Sequence, residues 1–302
     1  MRYVFIVNPA AGKKGAAEAF FPRIGDYWNS RGIDFTCYIT EGPKHAAQLA
    51  RMEGGKGDRV RIYGLGGDGT LSEIAAGTFG MENVEIGIFP CGSGNDFIKT
   101  FGEQKVFLSP EKQLAAISRT VDTIRSGEDV SVNLCTVGMD AKVPLEVQKL
   151  KRNPFLSGPA AYDLALLKIL LGKIGDEMQI TIDGVKSFSG CFLMAVVGNG
   201  RYYGGGYCGA PQALPDDGLL DFILIRKPKF YRIPTLLKLY KAGRHLSSKE
   251  FDGLLTFCRG RKIEITGPRP LVENLDGESR EIGSTAFEVA PASARFLVPQ
   301  QG

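Results

Sequence analysis

Residues 64–73, Gly-Leu-Gly-Gly-Asp-Gly-Thr-Leu-Ser-Glu, constrain the fold of this 302-residue chain more than any other stretch. They follow the run Arg-Val-Arg-Ile-Tyr at 59–63, which is rich in β-branched and aromatic residues and therefore typical of a strand. From Leu71 to Phe79, apolar residues recur at helical spacing. The order strand, glycine-rich turn, helix predicts a seat for phosphate, because glycine lets the backbone approach a ligand and a helix N-terminus presents unpaired N–H groups.

Asp68 lies inside this turn, where a negative charge opposes a bound anion. A cation that bridges the carboxylate to a phosphate would account for its presence. The alternative interpretation is a tight strand–helix turn that carries a solvated aspartate, since short glycine motifs also occur without any ligand.

The first hundred residues alternate between strands and helices. The predicted strands are Tyr3–Val7, Asp34–Ile39, 59–63 and Val84–Phe89, and the predicted helices run near Ala16–Arg31 and from Thr40 to about Met52. This alternation predicts a doubly wound, mostly parallel sheet. The loops 8–15, 40–43, 64–70 and 90–96 would all lie at the carboxyl ends of its strands, where such sheets bind ligands.

From about Thr120 the pattern changes to short strands separated by turn signals. The predicted strands are Glu128–Val137, Gln179–Asp183, Phe188–Val197, Leu219–Ile225, Lys262–Thr266 and Ala286–Val289, with helices at Pro159–Lys173 and near Tyr231–Ala242. Turns such as Asp183-Gly184 favour antiparallel pairing. We therefore predict an α/β domain over residues 1–122 and a mostly antiparallel β domain over 123–284, packed closely because no flexible linker separates them.

Composition limits the compartment and the partners. The six cysteines are scattered without a C-x-x-C pair, so neither a zinc site nor a disulfide framework is expected, and a reducing compartment is the default. No run of about 18 apolar residues occurs, which predicts a cytoplasmic protein whose membrane contact is peripheral. The net charge of +4 gives no reason to expect a nucleic-acid partner, and a homodimer is compatible with the sequence.

Two acidic turns in the second half are candidate functional sites. Asp216 and Asp217 could hold a hard cation such as Mg²⁺, or could simply be solvated. The run Glu-Asn-Leu-Asp-Gly-Glu at 273–278 contains an ordinary hairpin turn. Its alternative interpretation is a pair of carboxylates that supplies a general base beside a phosphate site.

Residues 226–244 contain seven Lys or Arg residues, no acidic residue, and interleaved aromatic and leucine side chains. This pattern is typical of a surface that binds an anionic membrane. It is equally compatible with a solvated helix face above a stripe of core residues.

Taken together, the motifs resemble the bacterial diacylglycerol kinase-like lipid kinases, relatives of the eukaryotic diacylglycerol, ceramide and sphingosine kinases. The matching segments occur in family order and cover nearly the whole chain: Asn8-Pro9-x-x-Gly12, 66–70 (GGDGT), 92–97 (GSGNDF), Asn199 with 204–206 (GGG), Ala210-Pro211, 217–221 (DGLLD) and 275–278 (LDGE). Cys91 and Ser93 replace a leucine and a threonine that are common in the family loop, and Ser93 keeps the hydroxyl.

The resemblance implies an ATP-dependent transfer of phosphate to a lipid hydroxyl, with diacylglycerol converted to phosphatidic acid as the first candidate reaction. It implies an N-terminal domain like that of NAD kinase and phosphofructokinase, a C-terminal β-sandwich-like domain, and an ATP cleft between them, with residues 285–302 returning to the first domain. The sequence has no Walker A motif, so the expected enzyme is not a P-loop kinase.

The resemblance also implies roles for individual residues. Asp68 would act near Mg²⁺, Asp276 would take the proton from the lipid hydroxyl, and Glu278 would be the second catalytic carboxylate of that turn. The residues implied in nucleotide binding are Asn8, Thr40, Gly66, Gly67, Asp68, Gly69, Thr70, Leu71, Ser72, Gly92, Ser93, Gly94 and Asn95. A second, structural Mg²⁺ would be held by the Asp217 carboxylate and the carbonyls of Leu214 and Leu219.

Two other functions share parts of this pattern. An NAD kinase also carries a GGDGT loop, but it would have an Asn-Glu pair where this chain has Gly94-Asn95-Asp96-Phe97. A non-catalytic regulatory module could retain the fold, although the presence of Asp68, Asp217, Asp276 and Glu278 argues against a dead enzyme. The acceptor lipid stays open among diacylglycerol, phosphatidylglycerol, a sphingoid base and a polyprenol.

Overall fold

The first four strands form a parallel sheet with helices on both faces, as predicted. In the computed structural model, which describes residues 1–12, 15–150, 165, 168, 169, 172 and 174–300, the strand order here is β2-β1-β3-β4 and every pair is parallel. The elements are β1 (Arg2–Val7), α1 (Ala16–Ser30), β2 (Thr36–Ile39), α2 (His45–Gly54), β3 (Val60–Gly66), α3 (Asp68–Gly77) and β4 (Val84–Pro90).

Alternating side chains on these strands bury into two separate cores. Val4 and Ile6 of β1 pack with α2 and α3 on one face, whereas Phe5 and Val7 pack with Trp28 of α1 on the other. Strands covered on both faces need a continuous apolar sequence, which is what the first strand shows. The carboxyl ends of β1, β3 and β4 therefore meet at one edge of the sheet, where their loops converge.

The middle of the chain contains three helices and three strands that differ from the prediction. These elements are α4 (Gln104–Phe107), α5 (Pro110–Leu114), β5 (Ile117–Ser126), β6 (Asp129–Ser131), β7 (Leu134–Gly138) and α6 (Met139–Leu150). The single predicted strand Glu128–Val137 is divided into β6 and β7. Strand β5 was not predicted, because its sequence is mostly polar and its main partner lies about 170 residues further along the chain.

The C-terminal part is antiparallel and β-rich, as predicted. Its elements are β8 (Asp176–Ile182), β9 (Lys186–Gly198), β10 (Leu220–Arg226), α7 (Ile233–Lys241), β11 (Leu255–Gly260), β12 (Lys262–Leu275) and β13 (Glu278–Val298). Strands β9 and β12 are long enough to pair with β8 near one end and with β7 near the other, which closes a β-sandwich-like unit around an apolar core. The sequence patterns did not predict β11.

Strand β13 joins the two parts of the fold. It pairs with β12 from Glu278 to Glu288, with β5 along its second half, and with β4 in parallel at Phe296. The prediction located only its short central apolar segment, Ala286–Val289. The predicted helix Pro159–Lys173 falls almost entirely outside the described residues, as do Lys13 and Lys14.

Candidate active site

A cleft of about 650 Å³ opens between the carboxyl edge of the parallel sheet and the antiparallel part. We call its two sides the N-terminal wall and the C-terminal wall. The N-terminal wall consists of Asn8, Ala11, Gly12, residues 67–70, Glu73, residues 92–94 and Asp96. The C-terminal wall consists of Asn133, Leu134, Asp140, Val143, Pro144, residues 203–205, Tyr207, Asn274, Asp276 and Gly277.

The glycines of the N-terminal wall are required by close backbone contacts. A Cβ atom on Gly12, which has a φ of +66°, would lie 2.1 Å from the carbonyl oxygen of Cys91. A Cβ on Gly92 would lie 2.4 Å from the Cα of Gly67. The loops after β1, β3 and β4 therefore interlock through positions where only glycine fits, and their backbones form the surface of the wall.

Side-chain hydrogen bonds fix these loops to one another. The Asn8 Nδ2 donates to Thr70 Oγ1 at 2.9 Å, which ties the loop after β1 to the first turn of α3. Asn95 has a φ of +50°, and its amide both donates to the carbonyl of Gly92 and accepts from the Gly92 N–H. The predicted nucleotide-binding residues Asn8, Thr70 and Asn95 thus hold the shape of the wall.

Asp68 begins helix α3 and lines the cleft. Its Oδ1 accepts the backbone N–H groups of Asp96 at 2.7 Å and Phe97 at 3.1 Å. Burial, together with the nearby carboxylates of Asp96 and Asp276, raises the pKa of Asp68 to about 6. Its negative charge is therefore costly in the free protein, and a cation in the cleft would reduce that cost.

Asp276 occupies the tip of the two-residue turn between β12 and β13. Asp276 has a φ of +43° and Gly277 a φ of +102°, and Leu275 pairs with Glu278 across the turn. Positive φ at both turn residues is the geometry that Asp-Gly favours in a hairpin. The local sequence therefore explains why this carboxylate projects from the end of the hairpin into the cleft.

Four hydrogen-bond donors hold the Asp276 carboxylate. The N–H of Val132 donates to Oδ2 at 2.9 Å, and those of Asn133 and Leu134 donate to Oδ1 at 3.3 Å and 3.2 Å. The fourth donor is the hydroxyl of Ser72 on α3. Through that contact, the helix that follows the glycine turn is joined directly to a carboxylate 204 residues further along the chain.

The remaining predicted site residues have different environments. Thr40 is buried after β2, the edge strand of the parallel sheet, and it does not line the cleft; Gly66 and Leu71 are buried behind the glycine turn. Ser93 and Gly94 line the cleft beside Gly69. Glu278, the first residue of β13, is exposed and does not line the cleft. The roles of Thr40 and Glu278 stay predictions.

Sequence patterns missed three carboxylates of the cleft. Glu73 accepts hydrogen bonds from the N–H groups of Lys44 and Ala46 and so caps α2. Asp96 is ion-paired with Lys99 and accepts a hydrogen bond from the N–H of Gly205 at 2.7 Å. Asp140 lies in the first turn of α6. Asp96 stands in a recognised motif, whereas nothing in the local sequence of Asp140 indicates that it reaches a cleft.

The predicted second metal site lies away from the cleft, before β10. The Asp217 Oδ1 accepts the N–H of Leu219 at 3.0 Å, and its Oδ2 lies 3.9 Å from the guanidinium of Arg259. Asp122 accepts the N–H of Gly218 at 2.7 Å, and burial together with the charges of Asp217 and Asp216 raises the pKa of Asp122. The turn thus concentrates negative charge. In the described part of the chain, no group of three or more His, Cys, Asp or Glu side chains is arranged to hold a metal ion.

The basic segment 226–244 contains a stripe of core residues and two exposed aromatic side chains; its contact with a membrane stays a prediction. Ile233, Leu236 and Tyr240 of α7 are buried and form a core stripe. Just before the helix, Phe230 is 58% exposed and Tyr231 is 73% exposed. Among the described residues, we find no helix that is both long and apolar enough to cross a bilayer.

Comparisons with known proteins match the two parts of the chain to two family models. Residues 2–128 match the model of the diacylglycerol kinase catalytic domain, and residues 133–298 match that of the YegS C-terminal NAD kinase beta sandwich-like domain. A "probable lipid kinase YegS-like" from Shewanella frigidimarina is 31% identical, over 79% of this chain and 76% of that protein. One from Stenotrophomonas maltophilia is 28% identical, over 99% and 96%.

The fold itself is similar to a solved structure. The crystal structure of "a putative diacylglycerol kinase" from Bacillus anthracis superposes with a TM-score of 0.76 at 21% identity, covering 99% of this chain and 97% of that one. At this identity the likeness describes the architecture, which matches the α/β domain and β-sandwich-like unit described above.

Proposed function

The chain belongs to the family of diacylglycerol kinase-like, YegS-like lipid kinases, and from that membership we propose that it transfers the γ-phosphate of ATP to the hydroxyl of a lipid. Membership of a kinase family implies the use of ATP. The specific reaction, its metal ion and its acceptor are our inference from the cleft.

The observation that carries this proposal is the direct contact between Ser72 and Asp276. It joins the helix of a phosphate-binding turn to a carboxylate on the opposite wall of the same cleft. Phosphoryl transfer needs positioning and charge neutralisation on one side of the reacting phosphorus and an activated acceptor on the other. The two walls match these two requirements.

On the N-terminal wall, the backbone of residues 67–70 and 92–94 would cradle the phosphates at the start of α3. Mg²⁺ in proteins is ordinarily held by one or two carboxylates together with substrate phosphates, and Asp68 fits that role because nearby carboxylates oppose its charge. When bound, Mg²⁺ would neutralise part of the charge on the phosphate oxygens.

On the C-terminal wall, Asp276 would act as the general base. It takes the proton of the lipid hydroxyl while that oxygen bonds to the γ-phosphorus and the bond to the leaving ADP breaks. Three backbone N–H groups and Ser72 hold the carboxylate in one orientation. Such fixed placement lowers the cost of orienting the base at the moment of transfer.

For the acceptor, diacylglycerol is the first candidate, with phosphatidic acid as the product. Phosphatidylglycerol, a sphingoid base and a polyprenol are the alternatives. For the second metal site, the Asp217 carboxylate and the carbonyls of Leu214 and Leu219 are oxygen donors of the type that Mg²⁺ prefers. The proximity of Asp122 and Asp216 to Asp217 supports a cation in this turn.

We further propose that residues 226–244 contact an anionic membrane at its cytoplasmic face. Phe230 and Tyr231 are exposed beside the exposed lysines Lys227 and Lys229. Aromatic side chains next to lysines favour the interface of an anionic bilayer. Residues 227–231 precede α7, whose Tyr240 packs against Tyr203 of the cleft, so this surface lies on the same part of the fold as the C-terminal wall.

The proposed activity is tested by measuring ADP release with Mg²⁺-ATP in the presence and absence of lipid. We expect turnover that requires Mg²⁺ and is stimulated by a lipid hydroxyl. Turnover stimulated by NAD instead would favour an NAD kinase. No turnover with any acceptor, while ATP still binds, would favour a regulatory module.

A further inference from the structure

Asp140, like Glu73 and Asp96, is a carboxylate of the cleft without a role in the proposed reaction, but unlike them it lies on the C-terminal wall. It lies in the first turn of α6 and lines the C-terminal wall together with Val143 and Pro144, one turn further along the same helix. Residues three and four apart share one helix face. Asp140 therefore presents a charged group at the edge of an otherwise apolar strip.

A chain of hydroxyl groups supports this carboxylate. The hydroxyl oxygens of Tyr203 and Tyr240 lie 3.1 Å apart, and Tyr203 lines the cleft together with Asp140. Burial raises the pKa of the Asp140 carboxyl to about 6, and the Tyr203 hydroxyl acts in the opposite direction. A hydroxyl lowers the pKa of a carboxyl by donating to the carboxylate, so Tyr203 faces Asp140 as a donor and Tyr240 is left to donate to Tyr203. Gly209 makes room for the pair, since a Cβ there would lie 2.7 Å from the ring of Tyr203 and 2.9 Å from the Tyr240 oxygen.

The surroundings of this chain are apolar. Tyr240 is 3% exposed and belongs to a core cluster with Met139, Leu236 and Phe251. A polar group buried in such a cluster stabilises the fold less than an apolar group of the same shape would. A buried hydroxyl needs a hydrogen-bond partner, and the contact with Tyr203 supplies one for Tyr240, so the two hydroxyls link the core to Asp140 at the cleft.

On the premise of the proposed function, we infer that Asp140 and Tyr203 form a headgroup subsite that accepts a hydrogen bond from a second polar group of the acceptor lipid. That group is a hydroxyl or an ammonium next to the hydroxyl that receives the phosphate. Val143 and Pro144 provide apolar contact beside it. On this inference, lipids with a second donor, such as phosphatidylglycerol and sphingoid bases, rank above diacylglycerol, which has a single hydroxyl and which the family resemblance alone puts first.

The test compares two esters that share one acyl chain. 1-Monooleoylglycerol has two hydroxyl groups and ethylene glycol monooleate has one, so their kcat/KM ratio measures recognition of the second donor. Sphinganine, with an ammonium beside its primary hydroxyl, serves as a third acceptor. All three are presented in the same detergent micelles at equal mole fraction.

We expect wild-type protein to prefer 1-monooleoylglycerol by about tenfold or more, because a site with a buried acceptor discriminates against a ligand that lacks the donor. Asp140→Leu should bring the ratio close to one, because transfer to 1-monooleoylglycerol should fall more than transfer to ethylene glycol monooleate. Asp140→Asn keeps an acceptor oxygen but loses the charge, so sphinganine should lose more than the diol. Tyr240→Phe, a positioning variant at a residue outside the cleft lining, should lower the ratio without altering turnover of ethylene glycol monooleate.

Other outcomes overturn the inference while leaving the proposed function intact. These are an unchanged ratio in Asp140→Leu, an equal loss with both esters, or phosphorylation of diacylglycerol by a wild-type protein that does not prefer the diol. If Asp140→Leu does not fold, Asp140→Asn and Tyr240→Phe decide the question. Absence of transfer to every lipid would instead overturn the proposed function.

Discussion

The N-terminal wall of the cleft is built mainly from backbone, whereas the C-terminal wall is built mainly from side chains. Gly12, Gly67 and Gly92 pack so closely that a side chain at any of them would meet a neighbouring backbone atom. The C-terminal wall instead presents Asp140, Tyr203 and Asp276, each held by hydrogen bonds. Phosphate groups are common to every nucleotide and suit a backbone cradle, while acceptors differ and need side chains that can vary.

The largest expected effect comes from Asp276→Asn. If the walls act separately, this change should lower phosphate transfer by about 10²–10⁴-fold, the range of a general base, and leave ATP affinity within about twofold. Asparagine accepts the left-handed backbone conformation of this turn, so the fold should be retained. Transfer and nucleotide binding are measured on the same preparation.

The matched control is Glu278→Gln, which removes the exposed carboxylate on the other side of Gly277. An equal loss of transfer in this variant would mean that both carboxylates of the turn act. Near wild-type transfer by Asp276→Asn would contradict the proposal that Asp276 is the general base.

The second prediction concerns the N-terminal wall and uses two glycines with the same φ of +66°. A Cβ at Gly12 would collide with the Cys91 carbonyl, whereas one at Gly32 would meet nothing within 4 Å. Both alanine variants should lose about 1–2 kcal/mol of unfolding free energy from the backbone conformation. Only Gly12→Ala should also weaken ATP binding, by about tenfold or more, because the interlocked loops must shift. Calorimetric titration with ATP measures the affinity of each variant. An equal loss of affinity in both variants would contradict the proposal that the backbone of the N-terminal wall binds the phosphates.

The sequence predicted the features that depend on adjacent residues, but not those that depend on distant parts of the chain. The turns at Gly66–Thr70 and Asp276-Gly277 depend on a few adjacent residues, so their patterns predicted them. The position of Thr40 outside the cleft lining was not predictable from the sequence, because the strand order that makes β2 an edge strand is not a local property. Asp140 and Tyr203 meet only after folding, and strand β5 depends on a partner near the end of the chain.

A third prediction concerns Asp68, a charged side chain in the N-terminal wall, which is otherwise built mainly from backbone. The pKa of Asp68 is about 6 in the folded protein, mainly because the carboxyl is buried. In the unfolded chain its pKa is about 3.9, so the unfolded chain releases this proton at a lower pH. Stability from this group is therefore lost as pH rises from about 4 to 6. At pH 8 in EDTA, Asp68→Asn should therefore have a free energy of unfolding on the order of 1–3 kcal/mol above that of wild type and should unfold at a higher temperature. This gain should vanish near pH 4.

The control for that measurement is Asp252→Asn, because Asp252 is exposed. Its effect on thermal unfolding should be small at both pH values. A lower unfolding temperature of Asp68→Asn at pH 8 would show that the two N–H bonds to Asp68 outweigh its burial.

The smallest expected effect concerns the membrane surface. Phe230→Ser with Tyr231→Ser should reduce binding to vesicles that contain anionic lipid by about three- to tenfold, since each exposed aromatic contributes little alone. Activity towards acceptors in detergent micelles should be unchanged, because neither residue lines the cleft. Sedimentation of vesicles measures the binding. Unaltered binding, or an equal loss of micellar activity, would contradict the proposed surface.

The most direct test of the central claim is transfer of label from ATP carrying radioactive phosphorus at the γ position. Wild-type protein and Asp276→Asn are each incubated with Mg²⁺ and with diacylglycerol, phosphatidylglycerol, sphingosine or a polyprenol, and the lipids are then separated. We predict a labelled lipid with wild-type protein and almost none with the variant, although the variant still binds ATP. Label that enters no lipid, or that enters equally with both proteins, would contradict the account.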